Sequence, residues 1–434
     1  MKILQISDIH WHNIHALTDV YRDIREGLIQ DIRNYCYEKA TIFDHILICG
    51  DIAYSGNEVE YRKADEFLNE LCNAAGCKPS EVFMVPGNHD KNIFAECKST
   101  REILNQTLAK SDKNDETLCD WIENDKTSLK MLYHPFYNYD QFTTNYGCTE
   151  PLMRKLLSQD IENSKDIIYN EKNDTMYWED ELGNGLNGYH VRVYGVNTAL
   201  TSDLQDYDPG VRDDGHKLFL PKIAYKGGHK TDGNINILMA HHPILFLASP
   251  DNIRTDLDER YQIQLFGHVH ISKSNCENNA VHVFSGSLQP GEGNQEYRPV
   301  FNMIDLDVRP AENGGDNLHI NLQVHYWNGR RFEYDINESS QFQVKLTNNN
   351  RWKEREQMEH INLPEGISKR EIRIAFTKSP IAREIMDEMD KGLFCYDNSQ
   401  PLYSNKMRFL DVIMQYNLWG ELWSKINKWA IWLH

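Results

Sequence analysis

Long apolar runs are missing from this chain of 434 residues. No stretch approaches the roughly 18 consecutive apolar residues of a membrane-spanning helix, so no membrane span is expected. Positive charge is scarce too: 46 lysines and arginines face 65 aspartates and glutamates, a formal net charge of −19. Such a surface argues against broad, non-specific attraction to nucleic acid. Cysteine is sparse and scattered. The nine cysteines are an odd number, and Cys72 and Cys77 have no second pair with which to complete a zinc site. Reduced thiols in a cytoplasm are the expectation. The first apolar run begins at Lys2, so no cleaved signal is expected ahead of it. No repeat or low-complexity segment is seen. The length exceeds one ordinary core, so two domains are expected.

What the chain has is a series of short polar motifs, each directly after a short apolar run. Lys2–Ser7 ends at Asp8-Ile9-His10, and His45–Cys49 ends at Gly50-Asp51. Val82–Val85 leads through Pro86 into Gly87-Asn88-His89-Asp90. Ile235–Ala240 ends at His241-His242-Pro243, and Gln262–Phe266 at Gly267-His268-Val269-His270. Near-continuous apolar stretches of this length predict buried sheet strands. Sites in open α/β sheets form beyond the carboxyl ends of strands, so all five motifs are expected on one rim.

Residue types then select the chemistry. Imidazole, carboxylate and amide oxygen without thiolate suit divalent manganese first, with iron, zinc, nickel or cobalt as alternatives. Two ions about 3.5–4 Å apart need a shared ligand. Asp51, a carboxylate central in the series, is the natural bridge. Leu17, Val20, Tyr21, Ile24, Leu28 and Ile32 keep helical spacing, as do Val59, Phe67, Leu68, Leu71 and Cys72. Strand alternating with helix through residue 85 is the rhythm of a parallel sheet. After it, Phe301–Leu306 and Leu318–Tyr326, around turn residues 310–317, read as an antiparallel extension.

As a set, the five motifs resemble the calcineurin-like metallophosphoesterase superfamily over about residues 1–310. The resemblance implies an α/β fold, a four-layer α/β/β/α sandwich, with a helical insertion and a small, mainly helical C-terminal region. Carried over by position, it implies that Asp8, His10, Asp51 and His270 hold one metal, and Asp51, Asn88, His241 and His268 the other. His89 would stand outside the metal shell near the leaving group, with Asp90 orienting its ring. The implied reaction is hydrolysis of a phosphodiester or phosphomonoester by a metal-bridging hydroxide, with His89 as general acid. Two divalent ions against Asp8 and Asp51 leave a local excess of about two positive charges (+4 − 2), so the pit attracts phosphate while the surface repels polyanions. A small substrate, a nucleotide or a nucleic-acid end fits that balance.

Gly50-Asp51-Ile52-Ala53-Tyr54 also matches the Gly-Asp-x-x-Tyr of purple acid phosphatases, in which the tyrosine binds iron. Those enzymes lack a histidine two residues after the first aspartate, whereas this chain has His10. Tyr54 is therefore expected to support the site or touch substrate, not to bind metal. His12, Asn13 and His15 share the first loop, where solvated side chains are the ordinary outcome and a substrate contact the functional one. Strand alternation points His242 to the opposite face from His241. His134, His190, His216, His229 and His282 have no partner at ligand spacing and read as structural.

The catalytic domain is expected over residues 1–337, with an insertion at about 91–234 that serves as a lid or as surface decoration. Glu338 to Asn350 is polar and reads as a linker, and 351–434 as a mainly helical accessory region. Within it, Ser379-Pro380 opens a helix signal. Phe409, Leu410, Ile413, Leu422, Trp423 and Ile426 keep helical spacing, with Trp419, Trp429 and Trp432 added. Such an apolar load packs on the chain's own core, or forms a dimer or partner interface. Two alternative functions stand beside the phosphoesterase. One is a metal-dependent nuclease. The other is an effector or subunit of a larger, possibly antiviral assembly: Gly-Asp-Ile-Ala-Tyr-Ser-Gly and Val-Tyr-Gly-Val-Asn-Thr-Ala-Leu are similar to bacterial metallophosphoesterases linked with NTPases in phage defence.

Overall fold

The structure is a computed structural model. It describes residues 1–11, 19, 21–92, 98–111, 117–118, 121, 125–147, 177–183, 185–202, 218–220, 222–225, 233–289, 298–311, 314–346, 363, 367, 369–389, 396, 402–415 and 418–430. His12, Asn13, His15, His216, His229 and Trp432 lie outside them.

Two compact units emerge, one of residues 1–163 with 172–348 and one of 164–171 with 349–434. The first is built on two mixed six-stranded sheets. In one, β1 (Lys2–Ile6) pairs in parallel with β2 (His45–Ile48), which pairs in parallel with β3 (Val82–Met84). On its other side β1 meets the antiparallel run of β10 (Val300–Pro310), β11 (Asp316–Trp327) and β12 (Phe332–Leu346). The second sheet runs β4 (Tyr177–Glu181), β5 (His190–Val196), β6 (Asn234–Ala240), β7 (Ile263–Phe266), β9 (Ala280–Ser285) and β8 (Ser272–Glu277). Helices α1 (Arg22–Lys39) and α2 (Glu58–Ala75) supply the crossovers of the first sheet. Asn57 starts α2 with a capping box to Glu60, and Gly76 ends it in the left-handed conformation that glycine adopts without a Cβ clash. These are the sheets and helices of an α/β/β/α sandwich.

Register places the site. Ile6 pairs with Ile48 and Ile48 with Met84, so the loops after β1, β2 and β3 leave one end of the sheet together. Ala240 pairs with Phe266, which sets His241 level with Gly267. All five motifs lie beyond strand ends, as the apolar runs predicted.

The expected boundaries need correcting. β4 and β5 are strands of the second sheet, although they fall inside the expected insertion of 91–234. The described α-helices of that stretch are Lys98–Lys110, Lys126–Tyr133, Tyr137–Thr143 and Lys222–Tyr225. β12 continues through Leu346, past the expected limit at 337 and through most of the expected linker. From Glu338 onward its exposed positions, Glu338, Gln341, Gln343 and Lys345, are polar, so that part reads as linker by composition. Of the histidines read as structural, His190 pairs with Glu181 at 2.7 Å and His282 with Asp258 at 2.9 Å.

The second unit has four described helices, Lys369–Lys378, Ala382–Met389, Leu402–Gln415 and Trp419–Ala430. Their apolar faces form a core of its own from Ile372, Phe376, Ile385, Met386, Phe409, Ile413, Trp419 and Leu422. Trp423 and Ile426 pack against that core. Among the described residues, no helix is long and apolar enough to cross a membrane.

Candidate metal centre

The polar side chains after β1, β2, β3, β6 and β7 converge into two interlocking groups. In one, His10 Nε2 stands 3.2 Å from His270 Nε2 and 3.7 Å from Asp8 Oδ1, and His270 Nε2 lies 3.1 Å from the same Asp8 oxygen. In the other, His241 Nε2 is 3.2 Å from each of Asn88 Oδ1, His268 Nδ1 and Asp51 Oδ2. Asp51 Oδ2 is also 3.9 Å from His10 Nε2, so this one oxygen faces both groups.

Donor atoms at these spacings stand at the edges of a coordination polyhedron. Ligands about 2.1 Å from a shared ion lie roughly 3.0–3.4 Å from each other. Facing imidazole nitrogens gain little from one another without a cation between them. Asp8 Oδ1 is buried and accepts no well-aligned hydrogen bond, although His270 is near. Asp8, His10, His270 and Asp51, and Asp51, Asn88, His241 and His268, could therefore each hold an ion.

The backbone is bent to present them. Asp8, His10, Asp51, His268 and His270 are five of the ten non-glycine residues at positive φ among those described. Such conformations cost on the order of 1 kcal/mol or more each and persist where the surroundings over-determine them. Three motif glycines are space-holders. A Cβ on Gly87 would stand 2.0 Å from Asp51 Oδ1, one on Gly267 2.3 Å from Ser7 Oγ, and one on Gly50 2.5 Å from His241 Nδ1. Gly87→Ala must therefore displace the shared carboxylate. The expected result is Mn²⁺ binding weakened by at least about 10- to 100-fold in titration calorimetry, the range seen when groups behind a metal site are lost.

Supporting contacts hold His241, Asp8 and Asp51. Cys49 O accepts from His241 Nδ1 at 2.8 Å, which turns Nε2 inward. Asp8 Oδ2 takes the Ser7 hydroxyl and the His268 amide, and Asp51 Oδ1 takes the His89 amide at 2.9 Å. Charge balance follows. Burial opposes the charged form of His241, but the Asp51 carboxylate overrides it and pushes the imidazole up to about 9. Burial drives His10 down to about 3, with His89 adding to the fall. Burial works against Asp51 as a carboxylate, yet His241 and His89 hold it well below the usual range.

Two expectations change. Asp90 does not orient the His89 ring. Its carboxylate takes the amides of Ile52, Ala53 and Gly87 and the Tyr61 hydroxyl. Burial and the neighbouring Asp51 lift it to about 7 against those amides. The His89 ring is set by the Tyr54 carbonyl, 2.8 Å from Nδ1. His242 does not point to the opposite face. β6 ends at Ala240, so alternation stops governing the chain there, and the buried His242 ring lies 4.5 Å from that of His268. Thr198 Oγ1 holds it, 2.9 Å from Nδ1 and 3.0 Å from the His242 amide. Tyr54 supports the site through its carbonyl. Its half-exposed ring lies beside His89, with centroids 5.0 Å apart. Sequence reasoning missed Thr198, Tyr61 and the Cys49 carbonyl; none carries a motif signal.

A family model for calcineurin-like phosphoesterases matches residues 1–272, and the chain belongs to that family. The chain is similar to an uncharacterized metallophosphoesterase-like protein, YydB, of Bacillus subtilis strain 168, at 26% identity over 348 residues. That match takes in 77% of this chain and 63% of the relative, so the chain spans less than two thirds of the relative's length. Similar solved structures include Vacuolar Protein Sorting 29 from Cryptosporidium parvum, at 12% identity and a TM-score of 0.32, over 79% of this chain and 97% of that one. Another is the purple acid phosphatase PPD1 from yellow lupin seeds, at 12% identity and a TM-score of 0.37, over 79% and 53%.

Proposed function

We propose that the protein is a dinuclear, manganese-preferring phosphoesterase that hydrolyses a phosphodiester or phosphomonoester. One observation carries the reading: two donor groups share a single oxygen, Asp51 Oδ2. Asp8, His10, Asp51 and His270 would hold one ion, and Asp51, Asn88, His241 and His268 the other. Such a pair supplies Lewis acidity and an activated water for attack on phosphorus.

The chain's own residues do the rest. The Tyr54 carbonyl can only accept, so it keeps a proton on His89 Nδ1 and leaves Nε2 as the nitrogen that can lend a proton to a leaving alkoxide. His10 and His89 lie edge to face, 4.7 Å between centroids, which supports His89 as a donor beside the ligand cluster. Buried Asp8 and Asp51 supply the two carboxylates that entering cations would balance. The acidic surface supports a small or end-presented phosphoester over long duplex. Cys36, Cys49, Cys72, Cys77 and Cys276 are free thiols, which supports a cytoplasmic setting.

Metal binding has a pH signature. His241 carries a proton below about 9 while Asp51 faces it alone. An ion must displace that proton, so apparent Mn²⁺ affinity rises by up to about tenfold per pH unit until the imidazole is neutral, then levels. Calorimetry in buffers of different ionisation enthalpy checks this as a released proton; affinity flat from pH 6.5 upward would contradict it.

The function is tested by Mn²⁺-dependent turnover of bis-p-nitrophenyl phosphate against p-nitrophenyl phosphate, which also separates diesterase from monoesterase. A Mn²⁺-loaded chain that cleaves neither overturns the proposal, and one that degrades DNA at physiological salt moves the reading to a nuclease.

A further inference from the structure

We infer that Tyr61 is a positioning residue for the metal ligands: through Asp90 its hydroxyl locks together the two loops that present Asp51 and Asn88. The inference rests on the metal-site reading above. Asp90 is fully buried and receives donors from three directions. Ile52 and Ala53, just after Asp51, donate to it at 3.1 and 2.9 Å, and Gly87, just before Asn88, at 2.9 Å. Three amides from two separate loops thus end on one carboxyl group. The fourth donor is the Tyr61 hydroxyl of α2, 3.0 Å from Asp90 Oδ1 and equally far from the Asp90 carbonyl. It fixes both the side chain and the backbone of the residue that joins the loops. Burial and the adjacent Asp90 keep the phenol well above its ordinary value, so it stays a donor.

Tyr61 is itself held from the insertion. Its ring stacks on Phe142 at 5.0 Å between centroids, and Tyr139 meets its edge at 6.4 Å while donating to Met84 O at the end of β3. The same region bonds both loops downstream of the ligands. Asn138 donates to Gly56 O at 2.8 Å, and Asn92 N donates to Pro135 O at 2.7 Å. Gly56, at φ +62°, lets the loops touch: a Cβ there would meet the Lys91 carbonyl carbon at 2.4 Å. The helix Tyr137–Thr143 therefore acts on ligand geometry through α2, with Tyr61 as the relay.

The test compares Tyr61→Phe with Tyr146→Phe in the full chain. Tyr146, just past the helix Tyr137–Thr143, donates instead to Asp65 of α2 at 2.7 Å. Mn²⁺ titration calorimetry is expected to show Kd raised about 10- to 100-fold in Tyr61→Phe. Tyr146→Phe is expected to lower Tm with Kd within twofold of the parent. Wild-type affinity in folded Tyr61→Phe, or equal weakening in both variants, overturns the inference. Should Tyr61→Phe not fold, Phe142→Leu keeps the hydroxyl and loosens the ring beneath it; Mn²⁺ binding must then weaken in the same sense, and unchanged affinity overturns the inference. A parent chain that binds no Mn²⁺ sinks the metal-site reading instead, a separate outcome.

Discussion

Asp51→Asn is expected to disable both donor groups at once. Asp51 is buried, its Oδ1 takes the His89 amide, and its Oδ2 faces His241 at 3.2 Å and His10 at 3.9 Å. An amide has one oxygen for these two duties. With its nitrogen at the Oδ1 position it opposes the His89 N–H; with its nitrogen at the Oδ2 position it turns N–H bonds toward the place where a cation would bind. The first orientation leaves a donor against a donor, a buried conflict costing about 1–3 kcal/mol; the second sets an N–H, which cannot bind a cation, in the position that faces both donor groups. Hydrolysis should fall by at least the 10²–10³-fold, about 3–4 kcal/mol, that loss of one preorganised electrostatic group costs. Bound Mn²⁺ should drop below two per chain. A variant with full metal content and activity within tenfold of the parent would show that Asp51 is no bridge.

His89→Ala should behave differently, because the metals are expected to stay. The His89 ring is anchored by Tyr54 O, and its backbone amide, which the substitution keeps, is what holds Asp51. Activity on a diester with an alkyl leaving group should fall about 10²–10⁴-fold, the usual contribution of a positioned acid. On bis-p-nitrophenyl phosphate the loss should be far smaller, since nitrophenolate departs without a proton. Stopped assays on both substrates, with metal content measured alongside, check the contrast. Equal losses on the two esters would remove His89 from the role of acid.

Much of this was legible in the sequence because burial writes itself into apolar runs. The stretches ending at Ser7, Cys49, Val85, Ala240 and Phe266 became β1, β2, β3, β6 and β7 to within about a residue at each end. Ile24, Leu28 and Ile32, and Phe67, Leu68 and Leu71, are the buried faces of α1 and α2 as their spacing indicates. β4 was hidden because Trp178 runs into the acidic Glu179, Asp180 and Glu181, and the end of β12 because its exposed positions Glu338, Gln341, Gln343 and Lys345 are polar. The partners of Asp90 were not legible for a different reason. Three of its four donors are backbone amides, which every sequence supplies everywhere, and only the fold decides where they point. His242 was misread because a period of two applies within a strand and the strand had ended.

The central claim is that seven side chains hold two cations through one shared carboxylate. Elemental analysis of Mn²⁺-reconstituted protein, with anomalous diffraction at the manganese edge, tests it most directly. The account predicts two manganese ions per chain, both within bonding distance of Asp51. A single ion, or two ions of which one lies away from Asp51, would contradict it.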